Sequence, residues 1–208
     1  MVWDYAEGNP FQRGPANLGW SVGWVTGVLE RVPTQGNTLA LQADAASRDY
    51  TGAIVSTDPP YYDNIGYSDL SDFFYVWLRR SLRDVHPSLF STVLVPKAEE
   101  LVANPYRHGD RDGARDFFED GFRAVFARAR RGASPDYPMT VYYAFKQSET
   151  TADGRTSTGW ATILEGMIGA GWTITATWPM RSELGNRMVA SGTNALASSI
   201  VLVLRPRP

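Results

Sequence analysis

Pro59 and Pro60 follow the apolar run Ala53-Ile54-Val55, with Ser56, Thr57 and Asp58 between. Neither proline has an N–H, and each holds the residue before it in an extended conformation. A strand that reaches this point has to stop, and the chain leaves the sheet as a stiff arm. The arm presents acceptors without competing donors: the Asp58 carboxylate and the Pro59 carbonyl. An exocyclic NH2 group is a double donor and matches that pair. Tyr61 adds a flat face on which a flipped base can stack, an interaction worth about 1–3 kcal/mol for bases on aromatics generally. The plainer alternative is a stiff loop with Tyr61 and Tyr62 as surface aromatics.

The 208 residues suffice for one full domain with a real core and are short for two. A net charge of −2 gives no global basic signature, so any nucleic-acid binding rests on a local patch. The absence of Cys excludes disulfides and thiolate metal sites, and His86 and His108 alone make no His-based catalytic or zinc cluster. No metal site is expected. Without a signal peptide or an apolar run of membrane-spanning length, the chain reads as soluble and cytoplasmic, with no membrane partner. Most of the seven Trp and ten Tyr are expected in the core and at its rim.

From residue 38 the pattern alternates strand and helix. Thr38 to Ala43 reads as a strand ending at Asp44, and Ala53 to Thr57 as a second, fully apolar strand of the buried parallel kind. Leu70 to Arg83 has helical period, with Phe73, Phe74, Trp77 and Leu78 on one stripe and Asp69 or Ser71 as its cap. Val95 to Arg111 reads as a long loop. Asp112 to Arg131 is a second amphipathic helix, with Phe117, Phe118, Phe122, Val125 and Phe126 inward. Strands follow at Pro138–Phe145, Trp172–Trp178 and Ser198–Leu204, with a helix over Gly159–Ala170. This order is that of the second half of a doubly wound α/β sheet of Rossmann-like type. Residues 1–37 form an N-terminal segment packing on the sheet, and 38–208 the main domain. No Gly-x-Gly turn precedes residue 58.

The run from Asp58-Pro59-Pro60-Tyr61 through Trp77-Leu78-Arg79-Arg80 resembles a family of large bacterial and archaeal adenine-specific DNA methylases with an N-terminal domain of unknown function. Tyr142 to Gln147, Thr177 to Arg181, Gly192 to Val203 and the opening Met1 to Tyr5 resemble its C-terminal portion too, so the likeness covers nearly the whole chain. The resemblance implies a class I methyltransferase fold whose final strands pair antiparallel. It also implies S-adenosylmethionine as cofactor and DNA as substrate, with adenine N6 favoured over cytosine N4. RNA or a protein amide is the alternative substrate, and a truncated, non-enzymatic fragment that binds nucleic acid or a partner is a further one. Family members are several times longer and carry their Gly-rich cofactor motif upstream of this part. The resemblance therefore implies that a truncated gene, a missing N-terminal half or a partner chain accounts for that turn. The bare edge of the sheet is expected to be covered by dimerisation or by residues 1–37.

The resemblance assigns Asp58, Pro59, Pro60 and Tyr61 to catalysis. Asp44, at the end of the first strand, either approaches the cofactor or caps the segment that follows. Asp63 and Asn64 hold the turn or touch substrate, and Tyr62 is a candidate for substrate contact. Arg79, Arg80 and Arg83 reach DNA phosphates or only complement a helix C-terminus. Lys97, Arg107, His108 and Arg111 lie on or beside the long loop, where binding residues concentrate, and are equally candidates for contact with the substrate DNA strand. Lys146 and the Arg181 to Arg187 loop stand at the functional edge of the sheet.

Overall fold

Phe118, Phe122 and Phe126 recur every four residues, and together they form the buried stripe of the longest helix. A computed structural model of the chain describes residues 9–14, 17–32, 36, 38–62, 65–145, 158–180 and 198–208. It divides into two units, Met1–Leu41 and Gln42–Pro208.

The first unit contains α1 (Leu18–Leu29), which the sequence pattern did not suggest. Asn17 caps it by accepting from the Trp20 backbone N–H at 2.7 Å. Gly19, Gly23 and Gly27 obscure it, because glycine disfavours a helix by about 1 kcal/mol relative to alanine. None of its residues is buried.

The second unit contains β1 (Ser56–Thr57), α2 (Tyr67–Leu82), α3 (Arg111–Gly132), β2 (Met139–Phe145), α4 (Thr158–Gly169), β3 (Trp172–Met180) and β4 (Ser198–Pro206). The strands make one mixed sheet in the order β1-β2-β4-β3. The β1–β2 pair is parallel, with Thr57 opposite Val141, and β4 runs antiparallel to both of its neighbours. Met139 and Val141 of β2 face the same way as their partners Leu204 and Leu202 of β4. On that face lie the α3 stripe and Ile163 and Met167 of α4, all at most 3% exposed. Trp172 closes this core by donating from its indole N–H to the Phe126 carbonyl at 3.0 Å. Tyr142 and Trp178 on the opposite face are exposed. The fold class is thus mixed α/β with a partly parallel sheet.

Three sequence expectations need correction. Residues 38–44 are irregular rather than a strand, and Leu39 and Leu41 are exposed. Among the described residues no neighbour offers them a ladder, and β propensity alone does not make a strand. The strand expected over Ala53–Thr57 shrinks to Ser56–Thr57, joined by a bond from the Thr140 N–H to the Val55 carbonyl. Its residues alternate between exposed and half-buried, with Ile54 64% exposed, as on a one-sided edge rather than a buried central strand. The third correction concerns α2, whose Leu70, Phe73, Phe74 and Trp77 face outward while Ser68 and Tyr75 are buried. It begins after Gly66 with no side-chain cap, because Asp69 and Ser71 face other groups.

Close approach of backbone explains one glycine. A Cβ on Gly132, the last residue of α3, would lie 2.6 Å from the Tyr50 carbonyl carbon. Gly169, which ends α4, has open space around it. Gly132→Ala is expected to lower stability by about 1–3 kcal/mol through overpacking. Gly169→Ala is expected to be neutral or slightly stabilising. Denaturant midpoints of the two variants check this, and equal midpoints would contradict the packing of residues 48–52 against α3.

Candidate functional site

Because β1 and β2 run parallel, Asp58 leaves the sheet at the carboxyl end of β1, the edge where α/β sheets form their binding crevices. The arm Asp58-Pro59-Pro60-Tyr61 lines an open cleft of about 870 Å³. Two more walls complete it: the first turn of α2, with Tyr67, Ser68 and Ser71, and the loop around Glu99-Glu100-Leu101. Asp44 faces the same space, so the candidate catalytic residues and the candidate cofactor residue share one cleft.

The arm is anchored by its aromatic side chains. Tyr61 meets Tyr143 of β2 edge to face at 6.2 Å, and Tyr143 stacks on Trp160 of α4 at 5.6 Å. Tyr62 turns the other way, packing on Phe118 at 4.9 Å while its carbonyl accepts from the Ala103 N–H at 2.7 Å. The structure therefore uses Tyr62 as an anchor to the core; it is not among the cleft's lining residues. Asp44 accepts from the Ala46 N–H at 2.9 Å and so caps the turn over residues 45–47. Capping and facing the cleft are compatible, because the carboxylate has further acceptor positions.

Sequence reasoning missed Glu100, Ser68, Asp72 and Tyr75, which help to build the far wall. Glu100 accepts from the Ser68 backbone N–H at 2.8 Å and from the Ser68 hydroxyl at 2.5 Å. Arg107 donates to Glu100 at 2.6 Å, and its other nitrogen reaches Asp69 at 2.5 Å and the Ser68 hydroxyl at 3.2 Å. One helical turn on, Asp72 accepts from the Val95 N–H at 2.9 Å and from the Lys97 ammonium at 2.6 Å. Tyr75 donates to the Thr92 carbonyl at 2.9 Å, and Arg79 to the Phe90 carbonyl at 3.3 Å. Ser68, Asp72, Tyr75 and Arg79 have the spacing of a single helix face. That polar face of α2 holds the loop from Phe90 to Arg107 in place. The signal was in the sequence as a polar stripe at helical period, but the apolar stripe beside it drew the inward assignment.

These contacts also settle where the candidate cations go. Lys97, Arg79 and Arg107 are engaged within the chain, and His108 stacks on Phe117 at 3.9 Å. Arg80, Arg83 and Arg111 are exposed. Asp63, Asn64, Lys146 and the Arg181 to Arg187 loop lie outside the described residues. The cleft lining has four carboxylates, from Asp44, Asp58, Glu99 and Glu100, and no Lys or Arg. Such a wall suits amines and cations rather than phosphates.

Burial pushes the Tyr67 phenol up, a hydrogen bond from the Tyr61 backbone opposes this, and the charges of Asp58 and Glu100 add to the rise. Tyr67 is consequently a neutral hydroxyl at the cleft wall around pH 7. Burial also pushes the Glu100 carboxyl up, but hydrogen bonds from Ser68 and Arg107 outweigh it and hold the group below its usual range. The Asp72 carboxyl is lowered by Lys97 and by the Val95 N–H. Among the described residues, no group of His, Asp or Glu is arranged to hold a metal ion, and no helix is long and apolar enough to cross a membrane. Comparison with protein-family models, curated proteins and solved structures gives no match.

Both lowered carboxyls bind protons more weakly folded than unfolded. Their stabilisation is complete above the unfolded carboxylate range, about pH 4–5, and is lost as pH falls through the lower folded values. Thermal melts of the wild type are expected to lose stability steeply below that range. Glu100→Gln is expected to melt lower at pH 7 and to show a shallower acid decline. An unchanged acid decline in the variant would contradict the assignment.

Proposed function

We propose that this chain is the amine-presenting part of an S-adenosylmethionine-dependent DNA methyltransferase, acting on adenine N6 in preference to cytosine N4. The observation that carries the reading is the shared cleft: the Asp-Pro-Pro-Tyr arm leaves the carboxyl end of a parallel strand and meets Asp44 across 870 Å³ of open space. A last strand antiparallel to its neighbours supports a class I methyltransferase ending. The sequence resemblance favours DNA over RNA or a protein amide.

In this reading the Asp58 carboxylate and the Pro59 carbonyl each accept one N–H of the target amine and aim the nitrogen lone pair. Pro60 keeps the arm from adapting to other shapes, and Tyr61 stacks on the base. S-adenosylmethionine, when bound, supplies an electrophilic methyl group; its positive charge suits the carboxylate wall of Asp44, Asp58 and Glu99. In-line displacement needs positioning above all, so no strong general base is required. Arg83, exposed at the C-terminal end of α2, serves as a phosphate contact outside the acidic cleft. No Gly-x-Gly turn precedes Asp58, and β1 has a ladder partner on one side only among the described residues. A partner chain or further sequence adding strands at that edge would supply the missing cofactor turn.

Two outcomes follow. Calorimetric titration of this chain alone is expected to show weak or no binding of S-adenosylmethionine. A dissociation constant in the low micromolar range would contradict the role given to the missing turn. In the assembled enzyme, Asp58→Ala leaves an amine donor unpaired, which costs about 1–3 kcal/mol and slows single-turnover methyl transfer at saturating DNA roughly 5- to 150-fold, with misalignment of the nitrogen adding to that. Tyr61→Ala is expected to weaken base capture instead, with the amine's acceptors intact. A wild-type single-turnover rate for Asp58→Ala would reduce the arm to a structural loop.

A further inference from the structure

The outward face of α2 is the largest apolar feature on any described helix of the Gln42–Pro208 unit. Leu70, Phe73, Phe74 and Trp77 fall at i, i+3, i+4 and i+7 and are 60–67% exposed. Aromatic side chains of this size leave on the order of 500 Å² of apolar surface in water. That is at the upper end of the largest patch on ordinary monomers, roughly 300–600 Å². Val76 and Leu78, on either flank, extend it towards the roughly 800 Å² per partner of a standard interface.

The polar residues beside the stripe carry opposite charges at its two ends. Asp69, which engages Arg107 through Oδ2 alone and whose side chain is 55% exposed, stands on one flank in the first turn. Arg80 stands on the same flank in the last turn, where it is exposed. In two copies of the helix packed antiparallel about a two-fold axis, each flank meets the same flank of the other copy with its ends exchanged. Asp69 of each copy then faces Arg80 of the other, with the axis between Phe74 and Tyr75. A parallel pair about a two-fold axis would instead set each flank against the opposite flank of the other copy and make neither Asp69–Arg80 contact. We propose that this face is a self-association surface on which a second copy of the chain docks with its α2 antiparallel, Phe73 of each copy packing near Trp77 of the other. The inference does not depend on the methyltransferase reading.

The chain has no cysteine, so single introduced cysteines report the geometry directly. With the axis between Phe74 and Tyr75, the two Phe74 positions lie close together. The Leu70 positions are ~14 Å apart at 1.5 Å rise per residue, beyond the reach of a disulfide. Sedimentation velocity of the wild type at roughly 100 μM, above the micromolar upper end of dissociation constants for standard-size interfaces, is expected to show a dimer, and Phe73→Glu a folded monomer by circular dichroism. Mild oxidation is expected to cross-link Phe74→Cys between chains and not Leu70→Cys. A monomeric wild type overturns the proposal, as does a dimer that survives Phe73→Glu. Cross-linking of both cysteine variants would mean a parallel pair and overturns the antiparallel arrangement.

Discussion

The Glu100 carboxylate ties together parts of the chain that are far apart in sequence. It is held by the Ser68 backbone and hydroxyl on one side and by Arg107 on the other. Its side chain is 13% exposed, so these contacts replace water rather than compete with it. Through them the long loop after α2 is fixed against the first turn of that helix. The wall facing the Asp-Pro-Pro-Tyr arm is therefore made of ordered loop. Without this clamp the cleft would have one rigid side, the proline arm, and nothing to define a ligand's shape.

The same contacts explain why α2 lies with its aromatic stripe outward. A helix has one inward face, and here Ser68, Asp72, Tyr75 and Arg79 occupy it. Each makes a hydrogen bond that water would otherwise have to supply to a loop carbonyl, amide or side chain. Leu70, Phe73 and Trp77 are left on the opposite side. A polar grip on the loop and an outward apolar face are thus two consequences of one helical orientation.

Periodicity made the central core legible. α3, α4, β2, β3 and β4 were each placed from the sequence to within about two residues, because their apolar residues repeat at the period of the element and point into one core. The arm was legible for a different reason: two prolines restrict the backbone wherever they occur, and they brought Asp58 and Tyr61 to a cleft edge. What failed depended on partners a local pattern does not contain. Residues 38–44 have strand composition but no ladder neighbour among the described residues, and there Ile54 lies on an edge rather than between strands. The inward face of α2 was decided by hydrogen bonds to residues 90–107, more than ten positions away in sequence. Lys97 and Arg79, read as candidate DNA contacts, are likewise held by those distant partners.

In the proposed reading the cleft recognises an exocyclic amine through Asp58 and the Pro59 carbonyl. Nuclear magnetic resonance titration of this chain with 2′-deoxyadenosine, and with the purine nucleoside lacking the 6-amino group, tests it without requiring turnover. Deoxyadenosine is expected to shift the backbone amides of Asp58, Tyr61 and Tyr67, the amine-free nucleoside to bind more weakly, and Asp58→Ala to remove the difference. Equal binding of the two nucleosides to the wild type, or shifts confined to residues outside the cleft, would contradict it.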